Sequence, residues 1–132
     1  MGSKMKYLAL PVAFAIAINS PSATADTIEQ RQSQNDAATA LMNDLLKAPV
    51  SALPSDICEK AELYQKQSDG MRAESGAILT SAITMLQQGE PLEVVGDQFA
   101  EMGSLLRIKA RHDQATGMAV RMCSEFMHDF EN

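Results

Sequence analysis

Few residues in this chain could do chemistry: two cysteines, two histidines and nine methionines, in a sequence with no tryptophan. The histidines are His112 and His128. No G-x-S-x-G elbow is present, no S-x-x-K opens a helix, and no glycine-rich loop could cradle a phosphate. Those absences point away from hydrolysis and phosphoryl transfer, and a non-enzymatic role is expected. Covalent haem is excluded on spacing, because no C-x-x-C-H occurs.

Metal chemistry has two starting points. Glu125 and His128 form an E-x-x-H, and Glu59 and Glu62 form an E-x-x-E. Di-iron bundles need two E-x-x-H helices and two further glutamates. A single motif near the end of the sequence reads as a solvated helix end. Met118, Met122 and His128, with Glu125, are the residues that could hold copper or iron, since thioether and imidazole suit Cu(I). Met42 with His112 or His128 could serve as axial haem ligands. The weightier expectation is that methionine fills irregular core space and that no cofactor is bound.

The cysteines lead to the elements that position them. Beyond residue 25 the sequence is dominated by Ala, Leu, Met, Gln, Glu, Lys and Arg, all good helix formers, and no stretch alternates as a strand would. Three helices are expected, over about 27–47, 55–88 and 91–128. The first carries Ala38, Leu41, Met42, Leu45 and Leu46 on its apolar face. Pro49 and Pro54 separate it from the second. The second opens with Ser55 as its cap and keeps one 4-3 line: Ile57, Ala61, Tyr64, Ser68, Met71, Ser75, Ile78, Ala82 and Met85. That seam is thin in apolar area. Gly70 and Gly76 flank it and suit close approach of a neighbour. Gly89 and Pro91 supply the turn. The third helix is apolar at Leu92, Val95, Phe99, Met102, Leu105, Leu106 and Ile108, then at Ala115, Ala119, Met122 and Phe126. Its stripe is expected to shift near Lys109–Asp113.

The second and third helices should therefore form a long antiparallel hairpin with the shorter N-terminal helix alongside, an all-α, three-helix bundle-like fold. About a turn at Gly89, Cys58 and Cys123 lie within three residues of facing register. A disulfide needs Cα atoms within about 7 Å, so one bridge between them is expected at the open end.

Residues 1–25 read as a secretory signal peptide. Lys4 and Lys6 precede a 12-residue apolar run, Tyr7 to Ile18, and Ala23-Thr24-Ala25 is a cleavage signal, with cleavage expected after Ala25. Twelve residues are too few to span a bilayer, so no stable membrane insertion is expected once the leader is gone. Residues 26–132 would form one exported helical domain. The whole chain has 11 basic and 17 acidic residues, a net charge of −6. Loss of Lys4 and Lys6 makes it −8. That balance excludes binding driven by nucleic-acid phosphates.

A hairpin with one short companion helix leaves apolar surface over. The expected function is a non-enzymatic binding protein of a bacterial periplasm. It would act as an immunity or inhibitor protein, a chaperone, or an accessory subunit of an envelope or secretion assembly. Its partner would be another protein or a second copy in a homodimer. Candidate contact residues are Phe126, Met127 and Phe130 in the acidic tail, and Arg107 and Arg111 in the one basic cluster. Arg107, Lys109 and Arg111 are expected to pair across the hairpin with residues 66–71, including Asp69. The alternative is a small periplasmic copper, iron or haem binder.

Overall fold

A computed structural model describes residues 25–131, and side-chain surroundings for 27–129. The leader read in residues 1–25 lies outside them, apart from Ala25. The described chain is all helix: α1 (Ala25–Leu45), a short 3-10 turn (Val50–Ala52), α2 (Ile57–Gln87) and α3 (Leu92–Glu131). At 1.5 Å per residue, α2 is about 46 Å long and α3 about 60 Å. They form the antiparallel hairpin, and α1 lies beside it, resting chiefly on α3.

Helix ends follow the turn chemistry. Gly89 takes φ 76°, the left-handed region where glycine is unstrained. Gly89 N–H donates to the Leu86 carbonyl and Glu90 N–H to that of Met85, the paired bonds of a Schellman motif. Pro91 sits one residue before α3, and its carbonyl accepts from Val94 and Val95. The start of α2 differs from expectation. Asp56, not Ser55, is the cap, and it makes no side-chain capping bond. The Ile57 N–H is taken up by the Pro54 carbonyl instead, so the backbone turn after Pro54 does the work of a cap.

The α2 seam is buried at every expected position from Ile57 to Ala82. Two apolar clusters result. The one at the open end joins Ala38 and Met42 of α1 to Ile57, Ala61 and Tyr64 of α2 and to Ala115, Ala119 and Met122 of α3. Nearer the turn, Met71 and Ile78 meet Leu105 and Ile108, with Ile28 of α1 packed on them. Cys58 and Cys123 form a disulfide at the open end, with Cα atoms 4.7 Å apart. Ten residues further along each helix, the Ser68 hydroxyl donates to the Asp113 carboxylate. The two cross-links share one register, as equal-pitch antiparallel helices require.

Four sequence expectations need correction. The α3 stripe does not shift near Lys109–Asp113: Leu105, Ile108, His112, Ala115, Ala119 and Met122 are buried in one continuous 3-4 line, with a histidine filling the place of an apolar residue. Leu46, Leu92, Phe99 and Leu106 are exposed rather than core. The basic cluster is not tied across the hairpin to Asp69; Lys109 pairs with Asp113 on its own helix, and Asp69 accepts from Gln65. The glycines do not bring backbones together. Gly76 faces open space, and Gly70 is approached by the Arg31 side chain.

Candidate interaction surface

The hairpin has two sides, and the sequence order separates them. On a right-handed antiparallel pair, the residue after each seam position turns to the same side on both helices, and the residue before it turns to the other. Arg111, Gln114 and Met118 precede His112, Ala115 and Ala119. They line a groove together with Asn35 and Asp36 of α1. Gln65 and Arg72 follow Tyr64 and Met71, and Lys109, Asp113 and Val120 follow Ile108, His112 and Ala119. These five line a second groove, which contains no residue of α1. Thus α1 covers one side of the hairpin, and among the described residues no element covers the other, here called the open side.

Toward the turn the open side becomes apolar. Leu79, Ile83 and Leu86 follow Ile78, Ala82 and Met85 on α2, and all three are exposed. On α3, Phe99 and Leu106 follow Gln98 and Leu105, and Leu92 stands seven residues before Phe99; these too are exposed, Leu92 at 77%. Both rows fall on the same side of the hairpin. They are helical-spacing apolar residues that a bundle of four helices would bury, and the described residues form three long helices. Taking such a side chain from full exposure to full burial gains about 1.5–3 kcal/mol, and each of these would gain the part that its remaining exposure represents.

The residues proposed from sequence fall elsewhere and do not form one patch. Arg107 is exposed and donates to Ser104 of its own helix. Arg111 is exposed in the α1–α3 groove. Phe126 is half-buried against the open-end cluster, and Met127 is exposed beside it in sequence. The Phe130 side chain lies outside the described surroundings. Of the alternative ligand set, Met122 is buried, Met118 is half-buried, and Glu125 and His128 are exposed. Among the described residues no three His, Cys, Asp or Glu side chains are grouped to hold a metal ion. Of the haem candidates, Met42 and His112 both have 0% exposure, and His128 is exposed near the end of α3.

Between the two apolar clusters lies a polar layer with one residue from each helix: Asn35, Ser68 and His112, all buried. Neither imidazole nitrogen of His112 has a hydrogen-bond partner of full geometry, although the Tyr64 backbone lies close enough to act on the ring as one. Burial holds its pKa below the ordinary histidine value; the Asp113 charge and the Tyr64 backbone act upward, and Arg31 acts downward. Asp113 shows the opposite balance of causes. Burial alone would raise its carboxyl, but hydrogen bonds from Lys109 and Ser68 outweigh it and hold the group below the usual carboxylate range. The layer joins the helices and offers no accessible reactive atom. Sequence reasoning did not place His112 or Asn35 in the core, although both sit at helical spacing to known core positions.

Comparison with protein-family models, curated proteins and solved structures finds no match for this chain.

Proposed function

We propose that the chain is an exported, non-enzymatic helical binding protein of a bacterial periplasm, which offers the open side of its hairpin to another protein. The observation that carries this reading is the double row of exposed apolar residues, Leu79, Ile83 and Leu86 beside Leu92, Phe99 and Leu106, on the side that α1 leaves uncovered. Contiguous exposed apolar surface on a small domain marks an interaction site. The leader-like segment and the disulfide support an oxidising, exported setting. Immunity or inhibitor protein, chaperone and accessory subunit of an envelope assembly all suit such a surface. None of the described helices is long and apolar enough to cross a membrane.

The test is recovery of the chain from periplasm with whatever accompanies it, compared with an Ile83→Asn/Phe99→Asn variant. Co-purification of one protein with the native chain, and its loss from the variant, supports the reading. A Soret band or stoichiometric copper or iron in the purified chain contradicts it.

A further inference from the structure

One buried titratable side chain stands where all three helices meet. His112 of α3 has 0% exposure and shares a layer with Asn35 of α1 and Ser68 of α2. The polar groups around it are engaged elsewhere. The Asn35 side-chain oxygen accepts from Thr39, the Ser68 hydroxyl donates to Asp113, and the Thr116 hydroxyl donates to the His112 main-chain carbonyl. An imidazolium has two N–H donors, and here the Tyr64 backbone comes near the ring without full hydrogen-bond geometry. A cation buried in such a place is costly.

The helices do not share that cost equally. From α3 the Asp113 carboxylate favours a charged ring, although Lys109 is paired with it. From α2 the Tyr64 backbone also favours it. From α1, Arg31 opposes it, held in place by two hydrogen bonds to Glu74 of α2. The helices also differ in how firmly they are held. The Cys58–Cys123 disulfide, the Ser68–Asp113 bond and the seam from Ile57 to Ala82 join α2 to α3. In contrast, α1 rests chiefly on α3, through Ala38 and Met42 in one cluster and Ile28 beside the other. Moving α1 away takes Arg31 from the ring and lets water reach it, while parting α2 from α3 is opposed by a covalent bond.

We infer that α1 is an acid-released strap: protonation of His112 undocks it from a hairpin that stays closed. Release opens the side that α1 covers, where Ala115, Ala119 and Met122 lie in one cluster with Ala38 and Met42. The inference stands on the fold and does not need the binding-protein reading. Its sign follows from linkage. Burial, the chief cause, holds the ring below the ordinary histidine value, so the released state takes the proton first. Docking of α1 is complete above about pH 6.5 and weakens as pH falls, by at most about tenfold per pH unit. Glu101, in a groove with Ile28 and Asp36 of α1, acts with the opposite sign: its carboxyl is raised by burial and by the Asp97 charge, so acid strengthens its contribution.

Hydrogen exchange of the oxidised full chain, read by mass spectrometry from about pH 7 to about pH 5 and corrected for intrinsic exchange, is the test. Amides of α1 from Ile28 to Met42 should lose protection about fivefold or more as pH falls, while α2 from Ile57 to Ala82 stays protected. His112→Leu should abolish the loss, and Arg31→Met should shrink it. A second reading needs no variant: the His112 ring resonances of the native chain should titrate over the pH range in which α1 loses protection. Loss of protection in α1 and in the hairpin at one common pH overturns the inference, as does an unchanged loss in His112→Leu. A His112 ring that charges while α1 stays protected also overturns it.

Discussion

Tyr64 meets His112 edge to face, with ring centroids 5.6 Å apart and ring planes at 74°. The contact joins α2 to α3 beside the polar layer, with Asn35 of α1 and Ser68 of α2 as the other members. Such a layer contributes little apolar area. A neutral histidine fills the space without a charge, but only while it stays neutral.

That condition sets a pH dependence. The folded-state pKa of His112 is depressed, chiefly by burial. A depressed value means that the unfolded chain takes up the proton first as pH falls. The stability from neutral His112 is complete above the unfolded histidine value and is lost as pH drops through the folded one. Urea unfolding should show stability falling as the pH drops below the ordinary histidine value of about 6.5, with a slope of at most about 1.4 kcal/mol per pH unit from this group. His112→Leu should flatten that part of the profile. An unchanged slope in the variant would contradict the assignment.

The disulfide should matter more than any single side chain in the hairpin. It closes a loop across a sequence separation of 65, worth about 4 kcal/mol in the chain-entropy picture. Cys58→Ser/Cys123→Ser should lower the urea midpoint accordingly while retaining helix content. Intact mass before and after reduction should show alkylation of both cysteines only after reduction.

Two glycines on one helix should respond differently to alanine. Gly76 has open space where a Cβ would go, so Gly76→Ala should stabilise by about 0.5–1 kcal/mol from helix propensity alone. At Gly70 a Cβ would lie 2.5 Å from Arg31 Nη2, and that guanidinium is held by two hydrogen bonds to Glu74, each 2.9 Å. Gly70→Ala should therefore stabilise less. The missing part, about 0.5 kcal/mol or more, should return in an Arg31→Ala background.

The docking of α1 depends on few residues. Met42 is fully buried in the open-end cluster, so Met42→Ala should cost about 2–5 kcal/mol. Leu46, on the same helix, is 53% exposed, and Leu46→Ser should change stability by less than about 0.5 kcal/mol. Thermal melts of the two variants separate these outcomes.

Much of the fold is legible from spacing alone. The 4-3 line from Ile57 to Ala82 is the buried seam, and the Gly89 turn sets the register that brings Cys58 to Cys123. What spacing does not reveal is which apolar residues stay outside. Phe99 and Leu106 have the same helical periodicity as Leu105 and Ile108, but Leu105 and Ile108 meet α2 in the seam, whereas Phe99 and Leu106 stand one position round the helix, on the side that α1 does not reach. His112 was obscured for the opposite reason: a histidine among Arg107, Lys109 and Arg111 reads as part of a charged face, although its place in the 3-4 line is a core position. The proposed surface therefore combines Leu92, Phe99 and Leu106, expected as core and left exposed, with Leu79, Ile83 and Leu86, which the seam passes by, and includes neither the tail aromatics nor the basic cluster.

The central claim is that the open side of the hairpin contacts another protein. A photo-crosslinking residue placed at Phe99 in cells tests it most directly, with one at Asn43, an exposed residue of α1 at the groove on the covered side, as the comparison. The account predicts a discrete adduct with a second protein from position 99 and none from position 43. No adduct from position 99, or an adduct only between two copies of this chain, would contradict it.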